Sequence, residues 1–115
     1  MANINNRVSL IGRLGADPEM RELEEGKKMA RFNVAVDESY RDVQGQRVEK
    51  THWQSVVAWG PNAERVSKVL AKGRLIALEG KLVGSSYTDK EGVKRYSTDV
   101  QMSEFMALDP KPVEA

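Results

Sequence analysis

The chain contains no cysteine and a single histidine, His52, among its 115 residues. The absence of cysteine excludes thiol catalysis, disulfide bonds and cysteine-ligated zinc, and it favours a reducing compartment such as the cytoplasm. One histidine without a second histidine or a cysteine makes no metal-ligand set, and nothing indicates a Ser-His-Asp arrangement. We therefore predict no catalytic residue, no metal site and no cofactor.

Long apolar runs are also missing. No stretch approaches the roughly 18 apolar residues that span a bilayer, and the first seven residues lack the apolar core of a signal peptide. This predicts a cytoplasmic protein with no membrane association. The formal net charge is only +1, which argues against a strongly basic nucleic-acid binder. A sum does not say, however, where the charges lie.

Apolar and polar residues alternate with the period of two expected of half-buried β-strands along Arg7–Leu14, Met29–Glu38 and Tyr96–Met102. Thr51–Trp59 is predicted as a strand from its β-branched and aromatic residues, and Arg74–Val83 as a more continuously apolar strand. Residues 61–72 instead have helical spacing, with Pro61 in the first turn and Gly73 as the stop. This order predicts an all-β fold, a five-stranded OB-fold Greek-key barrel with one helix between strands three and four.

The remaining segments are polar and rich in turn residues. We predict an exposed hairpin tip at residues 22–28, a loop at 42–50 and a long polar hairpin at 85–96 that turns at 89–92. Residues 1–108 form one domain in this interpretation, and residues 109–115 form a short flexible tail.

Aromatic residues make up only 6% of the chain, so their positions are informative. Trp53 and Trp59 lie six residues apart on one predicted strand and therefore share a face. Periodicity alone leaves open whether that face is the core. Tyr40, beside Arg41, and Tyr87, in the polar hairpin, favour an exposed role, because aromatics interleaved with basic residues are what stacking on unpaired bases needs.

The charges are distributed unevenly. Residues 72–95 carry six basic and three acidic residues, whereas residues 17–25 carry one basic and five acidic residues. A charge run is usually a solvated surface, so this asymmetry alone is only modest support for phosphate contacts.

Several segments together resemble the bacterial single-stranded DNA-binding proteins of the replication type. The resemblance runs from about Asn5 to Met106, and the segments that carry it are Val8–Glu19, Glu38–Asp42, Thr51–Trp53, Trp59–Gly60, Lys72–Gly73, Leu78–Gly80, Tyr87–Asp89 and Arg95–Tyr96. None of these segments would suffice alone, but the combination is specific.

The resemblance implies an OB-fold protomer, a homotetramer, and single-stranded DNA wrapped over the outer faces in replication, recombination and repair, at the nucleoid. The stacking positions of the family fall on the residues already selected, Tyr40, Trp53, Trp59 and Tyr87. Its basic positions fall on Arg7, Arg21 and Lys72. From their strand and hairpin locations we add further phosphate contacts at Arg31, Lys81, Lys94 and Arg95.

The sequence also departs from the family. Tyr40 and Tyr87 stand where tryptophan is common, and a smaller ring is expected to stack less well. Gln54 stands where some members have a histidine at the subunit contact. Family members usually continue to an acidic tip that recruits replication and repair proteins, whereas this sequence stops at Ala115. We expect either a member of the family without that tip or an isolated core.

Two other functions compete with single-strand binding. The first is an OB-fold protein-assembly or replication-restart accessory subunit, with little direct single-strand binding. The second is an OB-fold nuclease or other enzyme, which requires a carboxylate set for a metal that the predicted strands do not supply.

Overall fold

The computed structural model describes residues 5–109, which form strands wrapped around one apolar core, with one α-helix. The elements are β1 (Val8–Leu14), β2 (Glu19–Glu22), β3 (Lys28–Asp37), β4 (Tyr40–Arg41), β5 (Arg47–Val48), β6 (Thr51–Trp59), α1 (Pro61–Val69), β7 (Leu75–Thr88) and β8 (Lys94–Ala107). A 3-10 turn, Glu24–Gly26, links β2 to β3.

The sheet closes on itself through β1. Its strand order is β1-β7-β8-β6-β3-β2, and β1 pairs also with β3 through Arg13 opposite Ala35 and Leu14 opposite Val34. The ring therefore contains β1, β7, β8, β6 and β3, with β6 and β8 parallel and the other neighbours antiparallel. This is the OB-fold barrel predicted from the sequence, with its helix between the strands β6 and β7.

Inward-pointing residues of all five ring strands make the core. Val34, Val56, Ile76 and Val100 have no exposed surface, and Val66 of α1 is equally buried. The helix ends at Val69, three residues before the predicted end, because Leu70 is extended and only 5% exposed. Lys72 therefore lies in the connection to β7.

The strands β7 and β8 are longer than predicted. Each has 14 residues, and their antiparallel register continues out to Thr88 opposite Lys94, far into the segment predicted as a polar hairpin. Serine and threonine residues continue the pairing of β7 with β8 past the point where these strands cover the apolar core. The Ser85 and Ser97 hydroxyl oxygens lie 2.8 Å apart across the two strands. Composition predicted the turn correctly. It ended β7 at Val83 instead of Thr88 and β8 at Met102 instead of Ala107. The strands β2, β4 and β5 were not predicted.

The C-terminal end of the described chain is held by Asp109, the first residue of the predicted tail. Its carboxylate accepts hydrogen bonds from the Leu75 backbone N–H and from Arg74 Nε, both at 3.1 Å. The rest of the predicted tail, residues 110–115, lies outside the described residues. In the part that is described, no helix is long and apolar enough to cross a membrane.

Closure of the barrel depends on a close approach at Gly12, next to Arg13, which pairs with both Leu75 of β7 and Ala35 of β3. A Cβ atom there would collide with the Ala35 carbonyl oxygen and lie 2.6 Å from Cγ1 of Val34. We expect Gly12→Ala to lower the free energy of unfolding by about 1–3 kcal/mol in urea denaturation, because the strands must separate to make room.

Gly84→Ala is the matched control, because a Cβ atom at Gly84 meets no heavy atom within 4 Å. Its unfolding free energy should stay within about 0.5 kcal/mol of the unchanged protein. Equal stability of the two variants would contradict the close packing at Gly12.

Candidate nucleic-acid interface

Both tryptophans lie on the outside of the barrel, on β6. Trp53 is 58% exposed and Trp59 is 40% exposed, whereas Val56 and Ala58, on the opposite face of the strand, have no exposed surface. The period of two that buries Val56 and Ala58 thus turns the tryptophans outward. The alternative in which the tryptophans form the core is excluded.

The Trp53 ring rests against Gly15, which follows β1. A Cβ atom at Gly15 would lie 2.5 Å from Cζ3 of Trp53, so only glycine lets the ring lie in this position. A cleft of about 320 Å³ opens beside the ring and is lined by residues that include Asp17, Arg31 and Asn33. Gly15 was not predicted as part of the site, because its contact with Trp53 joins residues far apart in the sequence.

Trp59 lies at the other end of β6, next to the N-terminus of α1. A cleft of about 280 Å³ beside it is lined by residues that include Lys27, Gly60 and Pro61. The Lys28 ammonium and the Glu64 carboxylate form an ion pair at 2.9 Å in this region. The hydrogen bond between them raises the pKa of Lys28 and lowers the pKa of Glu64.

The register places Tyr87 on the same surface as the tryptophans. Val57 lies between Trp53 and Trp59 and pairs with Gln101 of β8, which pairs with Lys81 of β7. Every second residue from Lys81 onward shares this side, and Tyr87 is one of them. We call the outer face the outward surface of β3, of β6, of the Lys81–Thr88 part of β7 and of the part of β8 that pairs with it. Tyr87 is 58% exposed on it.

Tyr40 is placed differently. It is 54% exposed but lies on β4, which pairs only with β5 in a separate two-stranded sheet, opposite Val48. The strand register therefore brings three of the four predicted stacking residues onto one face, and Tyr40 stands on a neighbouring element.

Four of the seven predicted phosphate contacts are already paired with carboxylates. The pairs are Arg7 with Glu79 at 3.0 Å, Arg21 with Glu19 at 3.2 Å, Arg31 with Asp99 at 3.8 Å and Arg95 with Asp89 at 3.0 Å. The four arginines are about half exposed, between 49% and 62%, and pairs at the surface contribute only about 0–1 kcal/mol each. A phosphate can therefore compete for these arginines.

The three predicted lysines differ from the arginines. Within residues 5–109, no carboxylate lies within ion-pair distance of Lys72, Lys81 or Lys94. Lys81 belongs to the outer face, and Lys72 lies in the connection after α1. Lys94 is adjacent to Arg95 on the same strand, so the two side chains leave the hairpin on opposite faces.

His52 is exposed, and its Nε2 lies 3.2 Å from the Gln54 amide oxygen. No group of three or more histidine, cysteine, aspartate or glutamate side chains in the described range is placed to hold a metal ion. The chemistry that the outer face offers is therefore aromatic contact and positive charge.

Asp89 organises the turn between β7 and β8. Its carboxylate accepts hydrogen bonds from the Glu91 and Val93 backbone N–H groups, both at 2.9 Å, and from Arg95 Nε at 3.0 Å. These donors, led by the Val93 N–H, lower the pKa of Asp89 below its ordinary 3.8. The sequence predicted only that Asp89 lies in a turn. In the structure its carboxylate also orients Arg95, which lies opposite Tyr87.

An OB-fold barrel with exposed aromatics and basic residues on one outer face defines a nucleic-acid-binding domain of the kind that contacts unpaired bases. Comparison with known proteins identifies the family. The profile of the single-strand binding protein family matches residues 5–108, and the chain belongs to this family. Proteins of this family are non-enzymatic DNA-binding proteins.

Three curated relatives are named single-stranded DNA-binding proteins. The chain is 40% identical to one from Chlorobaculum tepidum over 96% of its length, 40% identical to one from Neisseria meningitidis over 90%, and 41% identical to one from Xylella fastidiosa over 96%. The matched regions span 69%, 59% and 82% of those proteins.

A solved structure of the Plasmodium falciparum SSB protein in complex with single-stranded DNA is also similar. The TM-score is 0.84 at 29% sequence identity, and the match covers 90% of this chain and 95% of that chain.

The titration of Asp89 gives a test of the turn. Because the folded pKa is lowered, the contribution of the carboxylate to the turn is complete above about pH 4 and is lost as the pH falls through the folded value. We expect the Glu91 and Val93 amide resonances in NMR spectra to titrate together, with a midpoint below 3.8. Asp89→Asn should abolish this titration, and a midpoint at or above the ordinary value would contradict the assigned hydrogen bonds.

Proposed function

We propose that the chain binds single-stranded DNA without sequence preference and protects it during replication, recombination and repair. The observation that carries the proposal is the pair of exposed tryptophans on one outer face. Tryptophan that stays exposed in a folded domain indicates a binding surface when it stands in an organised patch. Trp53 and Trp59 are separated by six residues of strand, which is about 20 Å, so several nucleotides fit between them.

Base stacking is the proposed source of affinity. Each base that stacks on Trp53, Trp59, Tyr87 or Tyr40 contributes about 1–3 kcal/mol, and stacking tolerates any sequence because every base has a π-face. Arg7, Arg21, Arg31, Lys72, Lys81, Lys94 and Arg95 are the proposed phosphate contacts. Because the net charge is only +1, stacking carries more of the binding than bulk charge does.

The action proposed is binding alone, without catalysis, in the cytoplasm at the nucleoid. We assign it to residues 1–108, to which Asp109 is also bonded through Arg74 and Leu75.

Tryptophan fluorescence tests the proposal directly. Oligo(dT) is expected to quench the emission strongly, because bases stack on the exposed rings, whereas duplex DNA of equal length should leave it nearly unchanged. Trp53→Ala should weaken oligo(dT) binding by about 1–3 kcal/mol, or roughly 5- to 150-fold.

Val69→Ala is the control, because Val69 is also exposed but lies on α1. Its affinity should match that of the unchanged protein. Unchanged emission with both DNA forms would overturn the proposal and favour a protein-assembly module.

We also propose that the chain forms a homotetramer. An apolar row crosses three strands on the outside of the barrel, where Ile11 pairs with Ala77 and Ala77 pairs with Met106. Ile11 is 59% exposed and Met106 is 65% exposed, so covering this row by another protomer removes apolar surface from water.

Light scattering measures the assembly. The expected mass is four times the 12.9 kDa of one chain. Ile11→Glu should lower the mass, because it places a charge in the apolar contact, while Val43→Glu, at a fully exposed position, should not. A mass of a single chain for the unchanged protein would contradict the tetramer.

A further inference from the structure

The hairpin of β7 and β8 extends beyond the barrel as a free arm. β7 pairs with β1 only up to Gly80, and β8 pairs with β6 only at Val100 and Gln101. Between Lys81 and Asp99 the two strands pair only with each other. We call these residues the arm.

Near the barrel the edges of the arm are bonded, because Asn6 and Leu82 exchange two hydrogen bonds and Gln54 Nε2 donates to the Thr98 carbonyl oxygen. Beyond these contacts, toward the turn, Tyr87 and Tyr96 are both exposed.

Each face of the arm carries one tyrosine and one basic residue. On the front face, which continues the outer face, Tyr87 lies directly opposite Arg95. On the reverse face, Tyr96 is flanked by Lys94 two residues earlier. Tyr96 is 75% exposed, more than any other aromatic side chain in the described chain. Its role was not predicted, because in the sequence it begins an apolar alternation with Val100 and Met102.

Tyr96 and Lys94 are in contact. The Lys94 ammonium lies 5.5 Å from the centroid of the Tyr96 ring, and no carboxylate within residues 5–109 pairs with it. A cation over an exposed ring contributes only about 0.5–1 kcal/mol. A base that stacks on Tyr96 can therefore displace the ammonium.

The neighbours of Tyr96 favour a nucleic acid over a protein partner. Apart from Leu82 near the barrel, the residues that share the reverse face are small or carry hydroxyl groups, namely Gly84, Ser86, Thr88 and Thr98. Hydroxyl groups donate hydrogen bonds to phosphate, whereas the centre of a protein interface is more apolar than this surface.

We infer that Tyr96 and Lys94 form a further stacking subsite for single-stranded DNA on the reverse face of the arm. The strand passes from Tyr87 around the edge of the arm to Tyr96. Ser86, the neighbour of Tyr87 on β7, pairs with Tyr96, and the two strands are only about 5 Å apart, so the path around the edge is short. This inference rests on the proposed binding of single-stranded DNA.

Two lengths of oligo(dT) separate this subsite from the outer face. An oligonucleotide of about 6 nucleotides fits on the outer face alone, and one of about 16 nucleotides also reaches around the arm. Tyr96→Leu is expected to weaken binding of the long oligonucleotide about fivefold or more and to leave the short one unchanged. Tyr96→Phe keeps the ring and should bind both normally.

Two further measurements locate the contact. Lys94→Gln should reduce the salt dependence of binding by about one phosphate contact for the long oligonucleotide only. Oligo(dT) containing 5-iododeoxyuridine should crosslink to Tyr96 under ultraviolet light, as identified by mass spectrometry of the peptides.

The outcomes distinguish the inference from its premise. Failure of the unchanged protein to bind either oligonucleotide would overturn the proposed function and this subsite with it. Normal binding by Tyr96→Leu, with crosslinks at Tyr87 but not at Tyr96, would overturn the subsite alone. A change in the light-scattering mass of Tyr96→Leu would show that a second copy of the chain covers the reverse face, and would also overturn it.

Discussion

The pairing of β1 with β3 is the contact on which the rest of the structure depends. Because β1 pairs with β7 and, from Arg13 onward, also with β3, five strands close into a ring instead of ending in a free edge. Closure places Val56 and Val100 inside without exposed surface and leaves the other side of each strand to solvent. The outer face, with Trp53 and Trp59, is therefore a product of the closure. Only β7 and β8 are long enough to leave the ring.

The sequence predicted what local periodicity determines. Alternation predicted three of the ring strands, and β-branched, aromatic and apolar composition predicted the other two. The period of two also predicted the shared face of the tryptophans, and the change of period at Pro61 predicted the helix. It did not predict the length of the arm, since serine and threonine are compatible with both loop and ladder. It did not predict the contact of Gly15 with Trp53 or the pairing of Arg31 with Asp99, since both depend on how distant strands come together.

Electrostatics on the outer face are more balanced than the basic segment at residues 72–95 suggests. Arg74 is bonded to Asp109 and Arg95 to Asp89, so part of the local excess of positive charge serves the fold. The Arg74 side chain is only 13% exposed and belongs to the fold, whereas the Arg95 side chain is 57% exposed. A surface pair such as that of Arg95 holds the arginine in a defined position at little energetic cost to a competing phosphate. An arginine on this face can therefore release its carboxylate partner and bind a phosphate instead.

The β-bulge between Glu79 and Gly80 has a mechanical consequence. Gly80 sits against the Gln101 backbone with no room for a Cβ atom, so the two strands are locked together where the arm leaves the barrel. The eight residues from Lys81 to Thr88 project roughly 25 Å beyond this point, and a tilt of ~10° there would move the tip by ~4 Å. Because the backbones are this close at the bulge, the geometry of this one position sets the direction in which the arm points relative to the tryptophans.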